Sequence, residues 1–300
     1  MSNPLTDFSN ILTSAAEKGG ASTVLVDARK RYPASGIAYA ADLVLTADHV
    51  ITREDGDIKV GLPDGKSLKA SLAGRDPGSD LAVLRLAEKA LTPAQTADDV
   101  KVGQLVLAVG RPSDAGIQAS WGIVTAIAGP ARTHRGGMLE KYIKTETTPY
   151  PGFSGGPLLN TEGEVLGLNT SGLSHHSSAL TIPVSVAWRV ADELAKHGSV
   201  KRGYLGVRTQ TVEIPEAARN ALKRDQKGGL LVLWLEENGP AQKGGLFVGD
   251  TIAAIAGTSV SDPDDLFAAL TSGTVGKPIA VEVLRGGKPE TVNVTVGERK

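Results

Sequence analysis

Apolar residues recur at helical spacing at the start of this 300-residue chain. Within residues 3–20 they stand three or four positions apart, which places them on one face of a helix. These residues are Leu5, Phe8, Leu12 and Ala15. Asn3 and Pro4 suit the start of a helix, and Gly19–Gly20 suits its end. We predict a helical segment over residues 1–20 whose apolar face packs against the following domain or a neighbouring subunit.

From about residue 22 the pattern changes to short strands. Apolar runs of four to eight residues alternate with Gly, Pro and Asp, and Pro63–Lys66 and Thr161–Glu164 are typical of tight hairpin turns. The predicted strands are Thr23–Val26, Ile37–Ala40, Leu43–Thr46, Ile58–Leu62, Ser67–Leu72, Leu81–Leu86, Leu105–Val109, Trp121–Ala128, Tyr142–Thr145, Val165–Asn169 and Ser178–Pro183. So many short strands in succession favour antiparallel β-barrels.

Helical spacing returns at Val184–His197, and Gly198 then provides a C-terminal stop. Ser199–Gly203 resembles a linker. Beyond it, strand-like runs surround a third predicted helix, Asp262–Leu270, in which Asp262 is the cap. The pattern therefore predicts three parts: an N-terminal helical segment (1–20), a β-barrel domain (21–198) and a smaller α+β domain (203–300).

Composition narrows the classes of function. The chain is 41% hydrophobic, carries a net charge of −1 and contains no cysteine. Nothing in the charge pattern favours nucleic acid, and the lack of cysteine excludes disulfides, thiol nucleophiles and Cys-ligated zinc. No run is long enough to span a membrane. Because the N-terminus lacks a signal-peptide pattern, we expect a cytoplasmic protein, or a periplasmic or otherwise extracytoplasmic one if a targeting segment was removed.

One serine stands between glycines, in the segment Gly152–Gly156. Glycine permits positive φ angles and leaves room for a ligand. A serine in this setting can expose its hydroxyl, while the N–H groups of Gly152 and Ser154 can point at one spot, as in an oxyanion hole. The alternative is a plain glycine-rich turn.

A serine hydroxyl needs a base, and the base needs an orienting carboxylate. His49 follows a buried strand, whereas the other four histidines lie in polar segments: His134, His175, His176 and His197. Asp80 stands at the start of an apolar strand, where a partly buried carboxylate needs a donor such as the His49 ring. The alternatives are a hydrogen-bonded core histidine and an aspartate that bonds its own turn.

Three segments, in the order His, Asp, Ser, resemble the catalytic segments of the HtrA (DegP/DegS-like) family of trypsin-fold serine proteases. They are Thr46–Val50, Asp76–Leu86 and Gly152–Leu158. The resemblance implies a mainly β fold with a double six-stranded antiparallel β-barrel. It also implies that Ser154 is the nucleophile, His49 the base and Asp80 its orienting partner, with the N–H groups of Gly152 and Ser154 as oxyanion hole. Phe153 departs from the family's usual Asn, and a bulky residue there is expected to affect whether the loop is active.

The resemblance further implies a substrate pocket. Thr148 is expected near its base, and Leu168, Asn169 and Thr170 along its wall. Because Thr148 is neutral, we expect small or medium apolar residues at the cleaved position rather than Lys or Arg. The pair His175–His176 is interpreted as part of a loop beside the active site, and no metal or cofactor is expected.

From Gly203 onward the chain resembles a PDZ domain of the HtrA type. Such domains bind an extended C-terminus by adding it to a sheet as a strand. The resemblance implies that the N–H groups of Leu205, Gly206 and Val207 hold the terminal carboxylate. The peptide groove is then expected between the strand that begins there and the helix Asp264–Leu270.

Two functions remain open on the sequence. The first is an ATP-independent serine endopeptidase of protein quality control and stress response, which cleaves misfolded or unfolded proteins and captures C-termini through its PDZ domain. It is expected to be a homo-oligomer, a trimer as in the family, with no nucleic-acid partner and no membrane span. The second is a catalytically silent or gated peptide-binding, chaperone-like scaffold.

Overall fold

The computed structural model describes residues 3–30, 32–52, 57–133, 137–173, 180–270 and 272–298. The chain forms two compact units, the first ending at Val200 and the second beginning at Lys201. None of the helices in these described ranges is both long and apolar enough to cross a membrane. Each unit has its own hydrophobic core.

The first unit begins with helix α1 (Pro4–Gly20), which confirms the predicted helix. The side chain of Asn3 caps it by accepting from the N–H of Leu5 at 3.1 Å. Ala15 is buried and Gly19 lies so close to Leu159 that a β-carbon there would be 2.2 Å from it. The predicted apolar face is thus buried at Ala15, near the end of the helix, but exposed near its start, where Leu5 is 77% exposed.

Fourteen strands follow among the described residues of this unit, and helix α2 closes it. They are β1 Thr23–Asp27, β2 Ala34–Ala40, β3 Leu43–Ala47, β4 Ile58–Gly61, β5 Ser67–Asp76, β6 Leu81–Leu86, β7 Leu105–Ser113, β8 Gly116–Ala128, β9 Ala131–Arg132, β10 Met138–Leu139, β11 Tyr142–Thr145, β12 Pro157–Leu159, β13 Val165–Thr170, β14 Leu180–Pro183 and α2 Val184–His197.

These strands close into two antiparallel barrels of six strands each. The first has the order β1-β2-β3-β6-β5-β4, and the second β11-β14-β13-β12-β7-β8. The double six-stranded barrel expected from the sequence is confirmed. The short strand β12 contains the strand-like apolar run Leu158–Leu159. Strands β7 and β8 continue beyond their predicted ends to a hairpin at Ser113 and Gly116. The first two residues of the predicted strand Ser178–Pro183 lie outside the described residues.

The second unit is a sheet with helices. Its described elements are β15 Gly203–Tyr204, β16 Val207–Glu213, α3 Glu216–Leu222, β17 Gly228–Leu235, α4 Pro240–Lys243, β18 Thr251–Ile255, β19 Thr258–Ser259, α5 Pro263–Ala269, β20 Pro278–Arg285, β21 Lys288–Thr295 and β22 Gly297–Glu298. The main sheet has the order β16-β17-β18-β20-β21, so β16 is an edge strand. Asp262 caps α5 as predicted, with its Oδ1 accepting from the N–H groups of Asp264 and Asp265 at 2.8 and 2.9 Å.

Candidate active site

His49 is held at the end of strand β3. All five residues of β3 are buried, and the chain then makes one 3₁₀ turn, Asp48–Val50. Asp48 is fully buried, and its Oδ1 accepts from Arg75 Nε at 2.6 Å. The turn therefore fixes the backbone of His49, while its side chain keeps 17% exposure.

Asp80 lies directly against this histidine. Its Oδ1 accepts from the His49 N–H at 2.8 Å, and its Oδ2 lies 2.8 Å from His49 Nδ1. An ionised carboxylate only accepts, so Nδ1 carries the proton of that bond, and Nε2 of the neutral ring is left as an acceptor. The structure thus brings His49 and Asp80 together as the sequence reasoning expected.

The backbone of Asp80 adopts an uncommon conformation. Its φ angle is +56°, a left-handed value that Asp tolerates better than most residues. Asp76 supports the turn, since its carboxylate accepts from the N–H of Gly78 at 3.3 Å and from the hydroxyl of Ser79 at 2.6 Å. The carboxylate of Asp76 therefore shapes the turn that directs the carboxylate of Asp80 toward His49.

Thr170 has a place that the sequence did not predict. Its hydroxyl donates to Asp80 Oδ2 and accepts from the N–H of Gly172 at 2.9 Å. A β-carbon on Gly172 would lie 2.4 Å from Asp80 Oδ2 and 2.5 Å from His49 Nδ1. Thr170 and Gly172 are thus both constrained by the close packing of this chain segment against the His–Asp pair.

The loop Gly152–Gly156, called the serine loop below, is held in place by Ser35 of the first barrel. Gly152 and Gly155 have φ angles of +90° and +88°, and a β-carbon on Gly155 would lie 2.0 Å from the carbonyl oxygen of Ser35. The N–H of Ser35 donates to the carbonyl of Ser154 at 3.1 Å. Its hydroxyl donates to the carbonyl of Gly152 at 2.7 Å. The contacts with Ser35 orient the loop. Glycine is needed at position 155 because the φ angle is positive and because a β-carbon would clash with Ser35.

Two backbone donors of this loop have no protein acceptor in the part of the chain that the structure describes. They are the N–H groups of Gly152 and Ser154, whereas the N–H of Phe153 donates to the carbonyl of Tyr150 at 3.1 Å. The predicted pair of oxyanion donors is therefore available to a ligand.

Ser154 and His49 line the same cavity, which has a volume of about 500 Å³. The hydroxyl of Ser154 lies 3.1 Å from that of Ser171, and either oxygen can donate. Within the described ranges, Ser154 makes no hydrogen bond to the His49 ring. Ser154 and His49 thus share one cavity, but the Ser154 hydroxyl is bonded to Ser171.

Phe153 is packed into the second barrel. It is only 2% exposed, lies among core residues such as Leu158 and Leu166, and meets the ring of Tyr150 edge-on with a centroid distance of 5.4 Å. Gly110 makes room for it, because a β-carbon there would be 2.7 Å from Phe153 Cδ1. The bulky residue is thus accommodated by the core.

The walls of the cavity differ in part from the predicted pocket. Of the residues expected in the substrate pocket, Asn169 and Thr170 line this cavity, and Thr148 and Leu168 are not among its lining residues. Thr148 is exposed, and Leu168 is buried in the core. The residues on either side of Thr148, Thr147 and Pro149, line the cavity instead, as expected where successive side chains of an extended chain face opposite sides.

The other sequence candidates lie elsewhere or outside the described residues. His197 is exposed at the end of α2. His134, His175 and His176, the last two expected in a loop beside the active site, fall outside the described residues.

A second cavity, of about 950 Å³, lies in the second unit. Leu205, Gly206 and Val207 line it on one side, and Leu266 and Phe267 of α5 line it on the other. The carbonyls of Leu205 and Gly206 accept from backbone N–H groups of Ala241 and Glu236, both at 2.8 Å. With the carbonyls engaged, the loop that leads into edge strand β16 presents its N–H side to the groove.

Comparison with known families matches both units. The trypsin-like peptidase domain family matches residues 34–168, and the PDZ domain family matches residues 203–296. A probable periplasmic serine endoprotease DegP-like of Halomonas elongata is 36% identical over 276 residues, which is 90% of this chain and 57% of that protein. The corresponding protein of Brucella suis biovar 1 is 38% identical over 272 residues, or 87% of this chain and 52% of that protein. The chain therefore spans just over half the length of these curated relatives.

Solved structures match the chain along nearly its full length. The HtrA-type protease AlgW with a decapeptide has a TM-score of 0.80 at 26% identity, covering 96% of this chain and 98% of that one. A variant of AlgW with a tripeptide has a TM-score of 0.80 at 30% identity, covering 96% and 97%. The serine endoprotease from Yersinia pestis has a TM-score of 0.77 at 27% identity, covering 96% and 98%. By its sequence, its two barrels and its PDZ unit, this chain belongs to the HtrA-type serine proteases.

Proposed function

We propose that this protein is an ATP-independent serine endopeptidase that cleaves unfolded or misfolded proteins in protein quality control. The observation that carries the proposal is the His49–Asp80 hydrogen bond of 2.8 Å beside a cavity that Ser154 also lines. A neutral imidazole whose Nδ1–H is bound to a carboxylate has Nε2 free to take a proton from an alcohol.

The proposed reaction has two halves. His49 Nε2 takes the hydroxyl proton of Ser154 as the oxygen attacks the scissile carbonyl, and the N–H groups of Gly152 and Ser154 bind the resulting oxyanion. The C–N bond then breaks, and the imidazolium gives its proton to the leaving amine. In the second half, water attacks the acyl-enzyme with the same base, which releases the new carboxylate and restores Ser154. Asp80 stabilises the imidazolium in both halves.

The cavity supports the proposed preference for apolar residues at the cleaved position. Its described lining includes Arg29 and Lys30 but no carboxylate. A Lys or Arg side chain would therefore enter without a partner and among like charges. A peptide library tests this, since a strong preference for cleavage after Lys or Arg contradicts it.

The second unit is proposed to capture peptide C-termini. Its groove combines a loop with N–H groups on the ligand side, an edge strand and an apolar helix face, which are the parts needed to add a peptide as a strand. The neighbouring AlgW structures contain a decapeptide and a tripeptide. Isothermal titration with a peptide that has a free or an amidated C-terminus measures the contribution of the terminal carboxylate.

We further propose that the protein assembles as a trimer. An exposed apolar patch supports self-association: Phe8 of α1 meets Trp121 of β8 edge-on at 6.1 Å, and Leu5, Ile11 and Ile123 are exposed as well. Monomers rarely expose contiguous apolar patches of large area.

We also propose that the protein acts outside the cytoplasm. The periplasmic names of the curated relatives support this location, which cell fractionation tests.

The alternative function, a silent or gated peptide-binding scaffold, is favoured by one observation. The Ser154 hydroxyl is bonded to Ser171 rather than to the His49 ring. In that arrangement the histidine does not act on the serine until the hydroxyl rotates.

A single experiment separates the two functions. The purified protein and its Ser154→Ala variant are incubated with casein, with and without a C-terminal peptide. Cleavage by the parent and none by the variant supports the peptidase. No cleavage by either protein, in both conditions, supports the scaffold.

A further inference from the structure

Glu236 lies at the loop proposed to hold the peptide carboxylate. A β-carbon built on Gly206 would lie 3.1 Å from Glu236 Oε2, and one built on Gly239 would lie at the same distance from it. Glu236, Gly206 and Gly239 all line the groove of the second unit. The carboxylate of Glu236 is therefore packed between two glycines at the end of the groove where a terminal carboxylate is expected.

The position of Glu236 is fixed by its backbone. Its N–H donates to the carbonyl of Gly206 at 2.8 Å, and its own carbonyl accepts from the N–H of Gly239 at 3.0 Å. These two bonds hold the backbone of Glu236 at this end of the groove, and its carboxylate lies beside the two glycines. Its effect on binding therefore depends on the charge that the ligand brings.

The charge of Glu236 is not cancelled by an ion pair in the described part of the chain, where no basic nitrogen lies within 4.0 Å of it. The other carboxylate of the groove, Glu298, pairs with Lys201 at 3.2 Å. Lys243 also lines the groove but is exposed, so water screens it, whereas Glu236 is half-buried. The least compensated charge at this end of the groove is thus negative.

We propose that Glu236 makes the groove select C-termini that carry Lys or Arg within their last three residues and reject those that carry Asp or Glu there. This inference rests on the proposed capture of C-termini and adds its charge class. A basic side chain offsets the repulsion between Glu236 and the ligand's terminal carboxylate, while an acidic side chain adds to it. The apolar helix face then contributes affinity without regard to charge.

The test uses fluorescent decapeptides of one sequence with a free C-terminus. Lys, Gln or Glu is placed at each of the last three positions in turn, and Kd is measured by anisotropy with the full-length Ser154→Ala protein. We expect the Lys peptide to bind about tenfold more tightly than the Glu peptide at one or more positions, and this ratio to fall with added salt.

Two matched variants assign the effect. Glu236→Gln is expected to reduce the Lys-to-Glu ratio to below twofold, whereas Glu237→Gln removes the same charge one residue away, outside the groove lining, and is expected to leave it unchanged. Binding of all peptides with equal Kd, or an equal effect of both variants, overturns the role of Glu236 while leaving C-terminal capture intact. No binding of any peptide overturns the capture itself.

Discussion

At the scale of single residues, the most constrained group is the carboxylate of Asp80. It is fully buried and accepts from the backbone N–H and ring Nδ1–H of His49 and from the hydroxyl of Thr170. A buried charge is tolerated only when such donors surround it. Each donor therefore contributes to holding the carboxylate, and through it the histidine, in place.

Thr170→Val tests that argument with a nearly isosteric change. Loss of a hydrogen bond to a charged group costs about 1.5–3 kcal/mol, so kcat/KM for a peptide substrate is expected to fall roughly 10- to 100-fold, and its pH profile to shift. Thr23→Val is the matched control, since that buried hydroxyl donates to the carbonyl of Gly19 at 2.8 Å in another part of the unit. Equal losses in the two variants would show a purely structural role for Thr170.

Ser171→Ala tests whether the bond between two hydroxyls restrains the nucleophile. Without it, the Ser154 hydroxyl is free to bond to His49, so inactivation by a fluorophosphonate is expected to accelerate by about 2- to 10-fold, the range of one neutral hydrogen bond. Ser120→Ala serves as control, because it removes a bond of 2.9 Å to the carbonyl of Thr148 near the same segment. An unchanged or slower rate in Ser171→Ala would show that the bond to Ser171 does not restrain the Ser154 hydroxyl.

At the scale of elements, the serine loop and strand β7 fit together through Phe153 and Gly110. A methyl group on Gly110 would also come within 3.0 Å of the Ser35 hydroxyl, which holds the loop. The departure from the family's Asn at position 153 is thus matched by a glycine on the facing strand. The loop conformation depends on this pair rather than on the loop sequence alone.

A double-mutant cycle tests the pairing. Gly110→Ala is expected to destabilise the protein by about 1–3 kcal/mol through overpacking, and Phe153→Ala by about 3–5 kcal/mol through the cavity that it leaves. Because the smaller side chain makes room for the methyl group, the double variant should lose less than the sum, as measured by urea unfolding. Gly61→Ala, which contacts Leu25 in the first barrel, should be additive with Phe153→Ala.

The elements also show what the sequence was able to predict. The barrels and α5 were predictable because their apolar runs, turns and cap are local in sequence. Thr148 was expected near the base of the pocket and Leu168 along its wall, whereas in the structure Thr148 is exposed and Leu168 is buried in the core. The direction of each side chain depends on contacts that a local sequence pattern does not record. The bond of Thr170 to Asp80 joins residues 90 positions apart, and no local pattern records such a contact. Strand β16 is rich in polar residues and was expected only from the family resemblance, and helix α3 was not predicted.

At the scale of the whole molecule, the exposed patch on α1 and β8 predicts that the mass of the assembly in solution depends on Phe8. Light scattering is expected to give three times the 31.0 kDa chain mass for the parent protein and a lower mass for Phe8→Asp. A charge placed in a buried apolar contact lacks a partner and weakens assembly. Val248→Asp, at an exposed apolar residue of the second unit, should leave the mass unchanged. A monomeric parent would contradict the proposed trimer.

The separate cores of the two units lead to a prediction for unfolding. Each core is formed by residues of one unit, so calorimetry of the full chain is expected to show two transitions rather than one. A ligand stabilises only the unit to which it binds, by about 2.7 kcal/mol at a concentration of 100 times its Kd. A C-terminal peptide should therefore raise only the transition that the isolated fragment 201–300 reproduces. Reaction of Ser154 with a fluorophosphonate should move only the other, and Ser154→Ala should abolish that second shift. A single transition that both reagents raise together would show instead that the two units unfold as one cooperative body.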